Sequence, residues 1–148
     1  MKVHYLYDAT NNAVSKDTVV DFPGRLQWVG SPPWSRHHDH MASTSAMVSA
    51  RGRVFYIFDE GPTASILLPS KWSLTARDAF NGIVLWRKPI PVWHTQLFQL
   101  KSGPFQLPRR LVAVGDRVYV TLGLHARVSE LDAATGEILR TYEGTEFT

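Results

Sequence analysis

Apolar residues alternate with polar ones in several short stretches, which predicts β-strands with one buried face. Trp72, Leu74 and Ala76 follow this pattern, and the residues from Trp72 to Trp86 form a strand–turn–strand pattern. The turn, Asp78-Ala-Phe-Asn-Gly82, starts with an Asp that can accept backbone N–H bonds and ends with a Gly that tolerates positive φ. This stretch therefore predicts a tight β-hairpin.

The same hairpin pattern recurs near the C-terminus, with the turn Asp132-Ala-Ala-Thr-Gly136. Asp132 and Gly136 lie 54 positions after their counterparts Asp78 and Gly82 (132−78 and 136−82). A third, degenerate copy of this pattern, His4 to Lys16, lies at the start of the chain. Because catalytic residues seldom recur in every repeat, the repetition predicts that Asp78 and Asp132 shape turns.

A different hairpin pattern precedes each of the two clear copies. Ala46 to Ile57 matches Arg110 to Thr121 at a larger offset, 64 (117−53), and both stretches contain a short turn between strands rich in Val and Tyr. One unit therefore consists of two successive hairpins, which make four antiparallel strands. The change of offset from 64 to 54 places a ten-residue insertion (64−54) within residues 60–70 of the middle copy.

Four-stranded units repeated at this spacing are typical of β-propeller blades, which bury their faces by stacking. We predict an all-β fold, a partial β-propeller of about two and a half four-stranded antiparallel blades in a single segment, 1–148. A half blade is expected at 2–20, and whole blades at 46–90 and 110–143. We expect Trp86 to be the wedge between blades. Because propellers have about four to eight blades, we expect a piece of a longer propeller or an assembly of copies.

Three stretches carry the repeat's pattern: Arg117-Val-Tyr-Val120, Leu131-Asp-Ala-Ala-Thr-Gly136, and Asp78-Ala-Phe-Asn-Gly82 followed by Trp86. Together they resemble the pyrroloquinoline-quinone (PQQ) repeat of quinoprotein-type β-propellers. In that repeat a Trp docks each blade on the next one. Arg140 stands at this position in the last copy and Lys16 in the first, so these blades are expected to dock differently or less tightly.

Composition narrows the classes of function. The chain has 16 basic and 13 acidic residues, and its net charge of +3 is scattered, so we expect no nucleic-acid partner. It contains no cysteine, which excludes disulfides and thiolate chemistry. No apolar run is long enough to predict a membrane span, and the first residues do not have the pattern of a signal peptide.

The segment Arg36-His37-His38-Asp39-His40 is the first candidate site. Imidazole and carboxylate groups are good ligands for zinc, copper or iron. In an extended segment His38 and His40 point the same way, which makes these two residues the candidate metal ligands. A third ligand would be needed, and only a structure can nominate His94 or His125 for it. The alternative is that these histidines are polar loop residues without a metal.

Two further groups of residues can be interpreted in two ways. Asp59 and Glu60 form an acidic pair that can act as acid and base or bind calcium. Adjacent residues of a strand face opposite sides, so a role in the turn is favoured. The aromatic residues of the long connections either line a ligand face or fill gaps between blades: Trp28, Trp34, Trp93, Phe98 and Phe105.

Two classes of function remain, and no catalytic residue is nominated for either. We favour a binding or scaffold module, non-catalytic as it stands, that holds a protein or a small-molecule ligand on its loop faces. The alternative that the resemblance implies is part of a quinoprotein dehydrogenase that oxidises alcohols or sugars with PQQ and calcium. Such enzymes often carry two adjacent cysteines against the quinone, and this chain has none. The resemblance also implies a periplasmic or cell-envelope location.

Overall fold

The computed structural model describes residues 2–10, 12–19, 21–30, 36, 43–65, 67–93 and 106–146. Eight strands form two four-stranded antiparallel sheets, each with its strands in sequential order. This confirms the predicted all-β class and its four-stranded antiparallel units. Within the described ranges the one helical element is a short 3₁₀ turn, Leu107–Arg110, and none of these residues forms a helix that could span a bilayer.

Each sheet consists of two successive hairpins. The first sheet contains β1 (Thr44–Ala50), β2 (Arg53–Asp59), β3 (Trp72–Asp78) and β4 (Val84–Ile90). The second sheet contains β5 (Leu111–Val114), β6 (Arg117–Thr121), β7 (Val128–Asp132) and β8 (Ile138–Thr141).

The register of the two sheets matches position by position. Val48 pairs with Phe55 in the first sheet as Val112 pairs with Tyr119 in the second, so both partners keep the offset of 64 (112−48 and 119−55). Beyond β2 and β6 the offset becomes 54, because Arg53 faces Asp78 and Arg117 faces Asp132 (132−78). The extra residues lie in the connection between β2 and β3.

The contact between the two sheets uses opposite faces of them. We call the face that carries Phe55, and its counterpart Tyr119, the front of each sheet, and the opposite face the back. The first sheet buries its front, where Phe55 and Ile57 are fully buried. The second sheet buries its back, where Val118 is fully buried. The front of the first sheet therefore packs on the back of the second, as in a stack of equivalent units.

One shared hydrophobic core fills this contact. It draws side chains from both sheets and from two residues outside the strands, Trp93 and Leu107. Its other buried members are Ala46, Val48, Ala50, Phe55, Ile57, Trp72, Leu74, Ala76, Ile90, Leu111, Ala113, Val118, Val120, Leu131 and Ala133. The front of the second sheet and the back of the first sheet lie outside this core.

The described residues of 2–20 form no strand, and only an isolated antiparallel bridge joins His4 to Tyr7. The segment lies instead along the edge strands β1 and β5. The Lys2 carbonyl accepts the Ser49 N–H at 2.6 Å, and the Val3 carbonyl accepts the Ala113 N–H at 3.0 Å. A lone hairpin is only marginally stable in water, so pairing with existing edges is the more favourable arrangement. The assignment of 2–20 as a half blade stays a prediction.

Candidate functional site

Trp86 of β4 joins the first sheet to the second. Its Nε1 donates a 3.1 Å hydrogen bond to the Ala133 carbonyl, in the turn after β7. Its ring lies against Gly136, where an added Cβ would come within 2.7 Å of the indole. Phe55 packs beside it, with ring centroids 5.9 Å apart. These contacts confirm the prediction that Trp86 is the wedge between sheets.

Asp132 shapes the turn that receives this wedge. Its Oδ1 accepts the backbone N–H groups of Ala134 at 2.8 Å and Thr135 at 3.0 Å, and Gly136 completes the turn at φ +74°. The Thr135 N–H, followed by the Ala134 N–H, lowers the pKa of Asp132 because both donors favour the charged carboxylate. Asp78 accepts two equivalent bonds, at 2.8 and 3.0 Å, in the first sheet. The predicted turn role of both aspartates is confirmed.

Trp28 makes the same contact with the first sheet. Its Nε1 donates a 2.9 Å hydrogen bond to the Ala79 carbonyl, and its ring lies so close to Gly82 that an added Cβ would come within 2.6 Å of it. Ala79 and Gly82 are the counterparts of Ala133 and Gly136 at the repeat offset of 54 (133−79 and 136−82). Trp28 therefore occupies the slot that the wedge of a preceding sheet would fill.

The sequence contains a signal for this role. Trp28 follows Gly24 by four residues, as Trp86 follows Gly82. The interpretation that placed Lys16 at the wedge position missed it, because Gly24 has no Asp four residues before it to complete the motif. The spacing from Gly to Trp alone does not single out Trp28, because Gly30 and Trp34 have the same spacing.

The back of the first sheet carries a groove of about 340 Å³ that Trp28 partly lines. Arg77 also lines it, and its donors are engaged there. Its Nε donates to the Tyr56 hydroxyl at 2.8 Å and its Nη1 to the Gly82 carbonyl at 2.6 Å. This groove is therefore an apolar surface whose main charged group already has acceptors.

The front of the second sheet carries a groove of about 350 Å³. It is lined by Gln106, Arg109, Arg110, Val112, Tyr119, Val120, Thr121 and Val128. The Thr121 hydroxyl and the Arg110 Nε are both buried without a hydrogen-bond partner. The Arg110 Nη1 donates to the Leu124 carbonyl at 3.3 Å, so one side of the guanidinium is held in place while its Nε lacks an acceptor.

Asp59 of the acidic pair is a structural residue. Its Oδ2 accepts a 2.7 Å hydrogen bond from the Arg36 Nη1, and both side chains are buried, with exposures of 7% and 3%. Its Oδ1 accepts the backbone N–H groups of Gly61 at 2.9 Å and Lys71 at 2.7 Å. Glu60 binds elsewhere, to Arg87 at 3.1 Å. The two carboxylates do not form a joint site, as the turn interpretation predicted.

The Arg36 guanidinium also holds the connection between β2 and β3. Its Nε donates to the Pro62 carbonyl at 2.9 Å, its Nη1 to the Ser70 hydroxyl at 3.2 Å, and its Nη2 to the carbonyls of Ser65, at 3.3 Å, and Leu68. The connection folds around one buried cation, which satisfies its carbonyl groups.

The candidate metal ligands His38 and His40 lie outside the described residues, as does His94. His125 is described, and no group of three or more His, Asp or Glu residues in the described part of the chain is arranged to hold a metal. The metal site therefore stays a prediction.

The structure shows the role of two of the five aromatic residues in the long connections. Trp93 is fully buried in the shared core and Trp28 is a wedge, so both fill gaps between packed elements. Trp34, Phe98 and Phe105 lie outside the described residues, and their roles stay predictions.

Comparison with known proteins gives a limited result. No protein-family model and no curated protein matches the sequence. Among solved structures, the chain is similar to a europium-containing methanol dehydrogenase, with a TM-score of 0.37 and 19% sequence identity. The match covers 64% of this chain and 14% of that chain. The chain thus spans a small part of the neighbour's length.

Proposed function

We propose that the chain is one segment of a propeller-type repeat protein and acts as a binding or scaffold module, non-catalytic as it stands. In this proposal residues 46–90 and 110–143 act as two blades, and further blades complete the propeller in a longer protein. The module holds a protein or small-molecule ligand on its loop faces.

The front-to-back packing of two equivalent sheets is the observation that carries this proposal. A head-to-tail contact joins two different surfaces of equivalent units. The units at the two ends of a stack each keep one of these surfaces free, so further units can be added. Within the described residues, the stack leaves the back of the first sheet and the front of the second outside the shared core. In this proposal, further blades of the propeller pack on these two faces.

The dehydrogenase alternative receives no support from the carboxylates that could hold calcium. Asp59 pairs with Arg36, and Asp78 and Asp132 accept backbone N–H groups of their own turns. Calcium needs about six to eight oxygen ligands, and these carboxylates already hold the structure together. We therefore assign neither PQQ nor calcium to any described residue.

The experiment that tests the proposal measures mass and cofactor binding together. The purified chain is studied by light scattering and equilibrium dialysis, with PQQ and calcium added, and by dye reduction with an alcohol. We expect the mass to remain unchanged and neither PQQ binding nor alcohol-dependent dye reduction to occur. Stoichiometric PQQ that supports dye reduction would overturn the proposal in favour of the dehydrogenase.

A further inference from the structure

We infer that residues 24–30 and the groove beside them form a strand-addition site for the third strand of a preceding blade. In such a site an extended segment pairs with an open strand edge through its backbone and places alternate side chains in a pocket. The inference rests on the proposed function as a propeller segment, and it names the kind of partner that the back of the first sheet accepts.

Residues 24–30 take the place of the fourth strand of a preceding blade. Trp28 contacts the turn of the first sheet as Trp86 of β4 contacts the turn of the second. Gln27 extends this contact, because its Nε2 donates a 2.6 Å hydrogen bond to the Phe80 carbonyl. Two neighbouring side chains therefore hold the segment on the first sheet, at the place that β4 takes on the second.

The backbone of this segment is open. Within the described part of the chain, no backbone N–H or C=O group of residues 24–30 is hydrogen-bonded to a strand. Leu26 is 83% exposed, whereas Val84, which likewise lies two residues before its Trp, is 39% exposed in the paired strand β4. A strand edge with open backbone groups is a template for pairing with another strand. The segment therefore lacks the neighbour that β3 provides for β4.

The groove on the back of the first sheet can receive the side chains of such a neighbour. It has a volume of about 340 Å³, and Trp28 and Gly30 are among the residues that line it. In the first sheet Ala76 of β3 pairs with Trp86, and Leu74 pairs two residues further along β4. A strand in the same register would place a small residue beside Trp28 and a larger apolar residue beside Gly30, against the groove.

The chemistry of the groove suits an apolar side chain. Its walls include Met47, Val54 and Phe58. The Nε of Arg77, which also lines the groove, donates to the Tyr56 hydroxyl at 2.8 Å, and its Nη1 donates to a turn carbonyl at 2.6 Å. An apolar side chain from the added strand would therefore bury apolar surface without separating this cation from its acceptors.

A complete four-stranded sheet, such as that of a second copy of this chain, does not fit this place. Its own fourth strand would meet residues 24–30, and its wedge would meet a slot that Trp28 already fills. The second sheet of a copy also lacks the wedge, because Arg140 is the counterpart of Trp86 at the offset of 54 (140−86). The occupant is therefore a three-stranded sheet of the longer protein, which residues 24–30 complete.

The test combines the full isotope-labelled chain with a synthetic peptide that has the sequence of β3, Trp72-Ser-Leu-Thr-Ala-Arg-Asp78. NMR should show saturable binding of one peptide per chain, with shifted amide signals in residues 24–30 and amide hydrogen exchange slowed there by about tenfold or more. The peptide with Leu74→Asp should not bind, because its carboxylate would enter the apolar groove. The peptide with Thr75→Asp should bind, because adjacent residues of a strand face opposite sides.

Trp28→Ala in the chain should abolish binding, because the segment is then no longer held beside the groove. Leu67→Ala is the control, since it removes an exposed apolar side chain from the connection between β2 and β3, and it should bind the peptide like the unmodified chain. Circular dichroism verifies that both variants retain their sheets.

The inference is overturned if the peptide leaves the amides of residues 24–30 unchanged or shifts those of β4 or β8 instead. Unchanged binding by the Leu74→Asp peptide or by the folded Trp28→Ala chain would overturn it too. Copies of the chain that associate and protect residues 24–30 would assign this place to a complete sheet, with the same consequence. None of these results involves PQQ, so a failure here leaves the proposed module in place, whereas PQQ-supported dye reduction would overturn the module itself.

Discussion

The Nε1 of Trp28 donates its hydrogen bond to the carbonyl oxygen of Ala79 at 2.9 Å, which is the bond that Trp86 makes one sheet further along the chain. The two indoles also lie against equivalent glycines, Gly82 and Gly136. A residue from an irregular segment thus reproduces the contact by which one sheet docks on the next. The first sheet receives a wedge although no preceding sheet is present among the described residues.

The two wedges are expected to differ in their effect on stability. Trp86→Ala should lower the free energy of unfolding by about 3 kcal/mol, because it opens a space in the shared core between the sheets. Trp28→Ala should lower it by less, since this change frees residues 24–30 and leaves that core closed. Urea denaturation followed by circular dichroism measures both losses. Equal losses would show that the segment around Trp28 supports the fold as strongly as the contact between the sheets does.

Gly136→Ala should destabilise the protein more than Gly115→Ala. Both glycines have positive φ, +74° and +58°, so each Ala adds backbone strain of about 1 kcal/mol. Only at position 136 would the new Cβ also meet the ring of Trp86, while at Gly115 no atom lies within 4 Å. Thermal unfolding of the two variants isolates this steric effect.

The same steric effect can be tested in a double variant. If Trp86 causes the additional loss, Gly136→Ala should cost less in a Trp86→Ala background than in the unmodified chain. A cost that is the same in both backgrounds would mean that the ring does not press on this position.

Arg36→Met should cost about 3–5 kcal/mol of stability, because it leaves the buried Asp59 carboxylate without its cation. Arg87→Ala breaks the more exposed ion pair with Glu60 and should cost no more than about 1 kcal/mol. Chemical denaturation of both variants gives the comparison. Similar small losses would indicate that Asp59 is satisfied by the backbone N–H groups of Gly61 and Lys71 alone.

The hydrogen bond from Tyr142 to Glu130 should make part of the stability depend on alkaline pH. The Glu130 carboxylate raises the pKa of Tyr142 above its ordinary value, chiefly because it accepts a hydrogen bond from the phenolic O–H and so favours the neutral phenol. Because the pKa of Tyr142 is raised in the folded state, the hydrogen bond contributes its full stability at pH values below the pKa of tyrosine in the unfolded state. That pKa is about 10. That contribution is lost as the pH rises through the folded pKa.

Tyr142→Phe tests this pH dependence. The difference in unfolding free energy between the unmodified chain and the variant should be constant below about pH 10 and shrink at higher pH. Absorbance titration should also show that the variant lacks a late-ionising tyrosine. A difference that stays constant through the alkaline range would contradict the assigned bond.

Local chemistry in the sequence was sufficient to predict the strands and turns. The strands follow from period-two alternation, and the turns follow from Asp and Gly at fixed spacing, because each depends on residues that are close together in the chain. The register between β2 and β3 agrees with the two repeat offsets, because Arg53 faces Asp78 as Arg117 faces Asp132. The all-β class and the wedge role of Trp86 could therefore be predicted from the sequence alone.

The tertiary structure alone decided that the front of the first sheet packs on the back of the second, because β2 and β6 carry apolar residues on both faces. It also decided that Trp28 fills a slot over Gly82 and that Arg36 pairs with Asp59. Each of these relationships joins residues that are distant in sequence or that sit in irregular segments. No periodic pattern records such contacts, since they arise only when the two sheets and their connections pack together.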